Sequence, residues 1–276
     1  MEEPVRVLFV NSEIFPYMPE TDISMLGRYL PQGIQESGKE IRSFMPRYGT
    51  INERRNQLHE VIRLSGMNLV IGNADRPLVI KVSSISSARM QVYFIDNEDY
   101  FHRKFIYRDA EGNDFKDNDE RAVFFARGVL ETVKKLRWKP DIVHCQGWIS
   151  HFVPVYLKKV YHEDPIFTEA RVVLSLYNEN LGARLSDDLV DKILGENLSR
   201  EDVALLEEPT GINLAKLAIR YADGIVAGVP ALDPELEGFI KQQGLPVIAG
   251  VPARAENMDW VRTYDHFYDD LLKRNS

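Results

Sequence analysis

Short apolar runs alternate along this chain with longer stretches in which apolar residues recur every third or fourth position. The runs are VRVLFV, IRSFM, VYFI, DIVHC, RVVLSLY, GIVAG and PVIAG. They are too short for helices and too continuously apolar for strands with one wet face, so they read as strands buried on both sides. Polar or glycine-containing residues and then a helical pattern follow the clearest of them. That alternation predicts an α/β fold with a mostly parallel sheet covered by helices. The helix after the first strand, ISMLGRYLPQGIQESG, should stop at Gly38, with Pro31 kinking it or shortening its start. DERAVFFARGVLETVKKLRW is the clearest helix, with Asp119 and Glu120 at its positive end and Lys134, Lys135 and Arg137 at its negative end.

Two regions depart from the alternation. Residues between Arg47 and Ser87 predict an antiparallel hairpin or lid inserted at the sheet edge. The stretch LSDDLVDKILGENLSREDVALLEEPTGIN predicts a charged helical lobe closing the structure. Without a repeat, low-complexity tract or long linker, residues 1–276 read as a single Rossmann-like domain.

Charge and composition narrow the classes. The 276 residues carry 34 Lys and Arg against 42 Asp and Glu, a net charge of −8, which argues against a polyanionic partner such as nucleic acid. No apolar run approaches a membrane span, and the acidic start MEEPVRVLFV lacks a signal peptide's basic region. Cys145 is the single cysteine, so a disulfide within the chain and a cysteine-based zinc site are excluded and a reducing cytoplasm is the expected compartment. The histidines show no metal-ligand spacing, and neither metal nor cofactor is expected.

Candidate chemistry gathers at the carboxyl ends of the strands, where open α/β sheets bind ligands. The first strand runs into SEIFPYMPETDIS, where a phosphate-binding turn would need glycines; Pro19, Thr21 and Asp22 stand there instead. KPDIVHCQGW puts His144, Gln146 and Trp148 at another strand end, and position alone favours a packed histidine over a functional one. Cys145, with no base in view, reads as an inert buried thiol. SLYNEN brings Tyr177 and Asn178 to the same edge; Asn178 suits a sugar hydroxyl or a plain Asx-turn. Asp117 and Asn118 open the clearest helix, where capping is the default role. Carboxylates are plentiful, but no acid/base pair can be placed in mutual reach.

Taken together and in order, SEIFP (Ser12 to Pro16), MPRYG (Met45 to Gly49), VYFIDNEDYFHR (Val92 to Arg103), DNDERAVFFARGVLE, KPDIVHCQGW and LAIRYADGIVAGVP (Leu217 to Pro230) resemble the N-terminal catalytic half of bacterial glycogen synthases and plant starch synthases. The resemblance implies one half of a GT-B glycosyltransferase, in which two Rossmann-like domains face each other across a cleft. Such enzymes move glucose from ADP-glucose or UDP-glucose to the end of an α-1,4-glucan with retention. The N-terminal half takes the glucan and part of the donor; the other half takes most of the nucleotide and carries an essential glutamate.

The departures from the family pattern are as informative. Its Ser-Glu-x-x-Pro-x-x-Lys-x-Gly-Gly-Leu turn keeps Ser12, Glu13 and Pro16 but has Pro19 for the lysine and Thr21 and Asp22 for the glycines. Its His-x-His-Asp-Trp-His signature keeps His144 and Trp148 but has Gln146, Gly147 and Ile149 elsewhere. In Thr-x-His-Asn, Tyr177 replaces the histidine and Asn178 remains. PVIAGVP falls where the family's linker begins, so the second GT-B domain is expected to be absent, and residues of about 257–273 resemble the family's closing helix. The expectation is a synthase-like protein of α-glucan metabolism with a degenerate donor loop, inactive alone. The alternatives are a non-catalytic glucan-binding or regulatory protein, a scaffold, or a half-enzyme. Ligand-cleft candidates are Glu13, Asp117, Asn118, His144, Gln146, Trp148, Tyr177 and Asn178. The expected partners are an α-glucan or nucleotide sugar, and a second copy (a homodimer) or partner chain across the open cleft face.

Overall fold

Successive residues of a strand point to opposite faces, and the first strand shows what its apolar run is for: Val7 and Phe9 enter one core, Leu8 and Val10 the other. The computed structural model describes residues 3–195, 197–254 and 256–274. Its elements are β1 (Arg6–Asn11), α1 (Asp22–Glu36), β2 (Glu40–Pro46), β3 (His59–Glu60), β4 (Met67–Ile71), β5 (Ala74–Ile85), β6 (Met90–Asp96), α2 (Glu98–Phe101), α3 (Asn118–Leu136), β7 (Ile142–Gln146), α4 (Val153–Val155), β8 (Arg171–Leu176), α5 (Leu189–Ile193), α6 (Gly211–Arg220), β9 (Gly224–Ala227), α7 (Pro234–Gln243), β10 (Val247–Ala249) and α8 (Val261–Lys273). The sheet order is β10-β9-β8-β7-β1-β2-β6-β5-β3, with β4 also on β5. From β10 to β6 the pairing is parallel, and β5 turns antiparallel against β6. Every predicted strand is present. The excursion after β2 is a hairpin that widens the sheet through β5 rather than a lid over it.

One face is covered by α1 and α8, whose Leu26, Leu30, Ile34, Val261, Phe267 and Leu271 pack on Val7, Phe9, Ile142 and Val173. The closing helix docks tightly. A Cβ on Gly33 would lie 2.5 Å from Val261 Cγ2, and Lys39 Nζ bonds Asp265 at 2.7 Å and Asp269 at 3.0 Å. The opposite face takes α3, with Phe124, Phe125, Val129 and Val133 against Leu78, Phe94 and Ile95. Among the described residues no helix is long and apolar enough to cross a membrane.

Three local expectations are corrected. First, Pro31 does not shorten the start of α1, which begins at Asp22 and passes through Pro31 to Glu36, giving up one backbone bond. Second, residues 185–213 do not form a helical lobe. Among the described residues of this stretch, only α5 and a short 3-10 turn at Ala204–Glu207 precede α6. Turn chemistry prevails there: Ser199 folds onto Asp202, its N–H donating to Oδ2 at 2.9 Å, and Pro209 interrupts the run before α6. Third, Asp117 and Asn118 do not cap α3 with their side chains. Asp117 is taken by Arg103, whose Nη1 donates to Oδ1 at 2.8 Å. Asn118 Nδ2 donates to the Tyr107 carbonyl at 2.8 Å, so both pin the loop before α3.

Candidate functional site at the crest of the sheet

The turn after β1 is held to the end of β7 by Ser12 N–H donating to the Gln146 carbonyl at 2.9 Å. It leads into a capping box. Ser24 N–H donates to Thr21 Oγ1 at 3.0 Å, and Thr21 N–H donates to Ser24 Oγ at 2.9 Å. Thr21 is therefore the cap, and Ser24 completes it. The Thr21 hydroxyl donates in turn to Glu13 Oε2 at 2.8 Å. An anion arriving at this helix start meets the Thr21 and Ser24 N–H groups already engaged and a carboxylate bonded to the cap. Exposed Asp22 adds a further negative charge in the first turn. Burial raises the Glu13 carboxyl above its ordinary range, and the bond from Thr21 opposes the rise.

A second carboxylate closes on the same spot. Glu179 lies beyond the end of β8, accepts the Trp148 backbone N–H and feels the charge of Glu13. Burial, then Glu13, push its carboxyl up to about 7. Glu179 Oε2 lies 3.7 Å from where a Cβ on Gly147 would stand, and that Cβ would meet Ser12 Oγ at 2.1 Å. Gly147 has φ +82°, so the crossing of these strands requires glycine for both space and backbone angle. Ser12 Oγ, buried beside it, has no hydrogen-bond partner among the described residues.

Beyond Glu179 opens a groove of about 550 Å³ lined by Thr50, Phe105, Tyr107, Trp148, Glu179 and Asn180. Phe105 is 47% exposed, unusual for so large an apolar ring. Tyr107 packs on Trp148 with ring centres 4.9 Å apart, and its hydroxyl meets that of Tyr48 at 2.6 Å. Arg121 lies beneath: Nε donates to the Tyr100 carbonyl at 2.7 Å and Nη1 to Asn118 Oδ1 at 2.6 Å. A smaller hollow of about 430 Å³ lies on the other side of the turn, between Asp22, Leu26, Tyr177, Gly228, Gly250 and Tyr264.

The predicted site residues divide accordingly. Glu13, Trp148 and Tyr177 reach the crest. His144 does not. It is fully buried, with Nδ1 2.6 Å from the Tyr268 hydroxyl of α8 and Nε2 2.7 Å from the Ser175 hydroxyl, and burial pushes it down to about 3. It is a neutral core histidine. Gln146 Nε2 donates to the Ile23 carbonyl at 2.6 Å and ties β7 to α1. Asn178 ties its own loop to the next, donating to the Ala231 carbonyl at 2.9 Å and accepting from Asp233 N–H at 2.8 Å. Asp117 and Asn118 serve the loop described above. Cys145 is buried, which pushes its thiol up and keeps it inert. Sequence reasoning missed Glu179, Phe105 and Tyr107. The signal for Glu179 was its place just past a strand end, directly after Asn178.

A parallel Rossmann-like sheet with its polar crest at the strand ends, closed by a C-terminal helix returning to α1, defines the N-terminal half of a GT-B glycosyltransferase. The solved catalytic domain of starch synthase IV from Arabidopsis thaliana, bound to ADP and acarbose, shares this fold. The TM-score is 0.74 over 91% of this chain and 52% of that one, at 17% identity. A family model for the starch synthase catalytic domain matches residues 6–237. Glycogen synthase of Chlorobium luteolum is 36% identical over 275 residues, covering 98% of this chain and 56% of the relative. That of Chlorobium limicola is 36% identical over 219 residues, covering 79% and 44%. The chain belongs to the glycogen and starch synthase family and spans about half the length of the curated relatives it matches.

Proposed function

We propose that this chain, taken alone, holds a neutral α-glucan in its crest groove and does not transfer glucose from a nucleotide sugar. One observation carries the reading: the start of α1 is closed by the Thr21–Ser24 capping box with the Glu13 carboxylate upon it. Binding a diphosphate at a helix start needs free backbone N–H groups and a nearby cation. Here the Thr21 and Ser24 amides are engaged, Pro19 stands where the resemblance places a lysine, and Asp22 and Glu13 would repel the ligand. At about 4 Å one such repulsion amounts to ~1 kcal/mol in water and ~4 kcal/mol near a protein surface. Stabilising a departing diphosphate would need the opposite charge. This is a degenerate donor loop, and the chain is in that sense a pseudoenzyme of α-glucan metabolism, suited to the cytoplasm where Cys145 stays reduced.

The groove suits a glucan better. Phe105 and the Tyr107–Trp148 pair offer flat apolar faces for sugar rings, while Glu179 and Asn180 offer polar atoms to their hydroxyls. Calorimetry with maltooligosaccharides, ADP-glucose and UDP-glucose tests this directly. The expected outcome is glucan binding without nucleotide-sugar binding. Tight binding of either nucleotide sugar, or robust transfer of labelled glucose from ADP-glucose to glycogen, overturns the proposal.

A further inference from the structure

At the opposite edge of the sheet, where the parallel strands begin, lies a hollow of about 400 Å³ that the glucan reading does not use. Its walls include Gln35 at the end of α1, Arg42 near the start of β2, Ser84 near the end of β5, Arg89 just before β6, and Gln91 and Tyr93 within β6. None of its lining residues is acidic. In a chain with eight more acids than bases, both guanidiniums here lack a carboxylate partner among the described residues. Arg42 is held by other means. Its Nη1 donates to the Tyr93 hydroxyl at 2.6 Å, and its guanidinium lies 5.7 Å from the Tyr93 ring centre and 5.2 Å from that of Trp138. Tyr93 is itself stacked on Phe44 at 4.9 Å. The fork is thus oriented by packing before any ligand arrives, and its buried Nε finds no acceptor among the described residues. Arg89 is exposed and left-handed, at φ +51° behind the Ser86–Ala88 turn. A third cation, Arg28, is buried on the same flank with neutral partners, Gln32 Oε1 at 2.6 Å and Ser87 Oγ at 3.4 Å.

We propose that this hollow is a binding site for a phosphomonoester of sugar size, its dianion held between Arg42 and Arg89. The Arg89 fork, the Nη2 side of Arg42 and a serine hydroxyl beside them match the oxygens of a phosphate, and a preoriented guanidinium loses little freedom on binding. The hollow is larger than a bare phosphate needs and falls in the range of small-molecule pockets. The amides of Gln35 and Gln91 line the remaining space and suit sugar hydroxyls. It is concave and holds only two cations, which fits a small ligand and not a nucleic acid or a lipid surface.

The test is calorimetry on the full chain at low salt, with glucose 6-phosphate, ribose 5-phosphate and inorganic phosphate as probes. The expected result is one saturable site for the sugar phosphates, about tenfold tighter than for inorganic phosphate. R89Q should weaken it about tenfold and R42Q/R89Q more, with maltooligosaccharide binding at the crest unchanged. R89Q is the safe variant, because the side chain is exposed and Gln57 already adopts φ +51° in this chain. R42K keeps the charge but loses the fork, and should also weaken binding. The proposal is overturned if the native chain binds neither sugar phosphate, if inorganic phosphate binds as tightly, or if R89Q and the double variant bind unchanged. Because the crest is measured separately with glucans, failure here leaves the glucan reading standing, and the reverse holds.

Discussion

The two edges of one sheet carry opposite charge, each without its complement. At the crest Glu13, Asp22 and Glu179 gather with no salt bridge to any of them among the described residues. At the foot Arg42 and Arg89 share a hollow with no acid in its walls. Elsewhere the chain pairs its charges readily, as at Lys39 with Asp265 and Lys81 with Asp96. In an α/β fold the helix starts at the strands' carboxyl ends make that edge the natural place for anions. Here the first helix start is spent on its own capping box, and the anion-seeking groups stand at the other end. The chain thus keeps the fold of the glycogen and starch synthase family while its two sheet edges carry opposite charge.

The largest way to break this comparison is at Gly147. Gly147→Ala places a Cβ 2.1 Å from Ser12 Oγ in a backbone with φ +82°. Urea unfolding should show a loss of about 2–4 kcal/mol, from overpacking and backbone strain together. Adding Ser12→Gly removes the atoms it strikes but not the strain, so the double variant should recover about half of the loss. Full recovery would show that the backbone angle contributes nothing, and no recovery would show that the contact does not matter.

Next in size is the pH dependence of Glu179. Its carboxyl titrates near 7 in the folded chain against an ordinary 4.5, so the folded state holds the proton more tightly than the unfolded one. The favourable contribution is present below about pH 4.5 and is lost as pH rises through about 7. Glu13 is shifted in the same direction by the same burial. Glu179→Gln keeps an acceptor for the Trp148 N–H but cannot ionise. It should be more stable than the native chain above pH 7 by roughly 1–2 kcal/mol after allowance for partial solvation, with a flatter profile across that window. Thermal midpoints of both proteins from pH 4 to 9 would measure this; parallel curves would mean that Glu179 ionises freely in the crest.

A smaller effect is expected from Thr21→Ala, which removes the cap and the donor to Glu13 at once. The loss should be about 1 kcal/mol by urea unfolding. The Glu13 carboxyl should rise further, since the bond that held it down is gone. ADP-glucose should still fail to bind, because freeing the helix start leaves Glu13 and Asp22 in place. Nucleotide binding by this variant would show that the cap alone, and not the charge, keeps the donor out.

The sequence made the sheet legible because each strand is an apolar run bounded by polar turns, and α3 because its period is unbroken over nineteen residues. The crest was legible as a place, since strand ends set it. Its occupants were not. His144 looks the same in sequence whether it faces a ligand or Tyr268, and Tyr268 lies 124 residues away. Asp117 reads as a cap until Arg103 is found within reach. Glu179 and Phe105 sit on irregular segments where no periodicity says which side chain turns inward. Residues 185–213 carry apolar spacing that suggested helix, but Asp, Ser and Asn side chains offered the backbone other partners and Pro209 removed a donor. The foot hollow is assembled from α1, β2, β5 and β6 and has no signature in any one segment.

The smallest effect sharpens the other half of the comparison. Arg89→Glu places an acid in a hollow that holds Arg42 and no carboxylate. Both side chains are at least partly in water, so replacing a repulsion by an attraction should raise stability by no more than ~0.5 kcal/mol. The rise should vanish at high salt, where charges a Debye length apart no longer sense each other. The same change should abolish binding of glucose 6-phosphate, because a carboxylate then occupies the place of the second guanidinium. A protein slightly more stable and unable to bind marks the foot as a site whose charges are kept for a ligand. Lower stability at low salt would mean that Arg89 already has an anionic partner in solution, and the contrast between the two edges would fail at that residue.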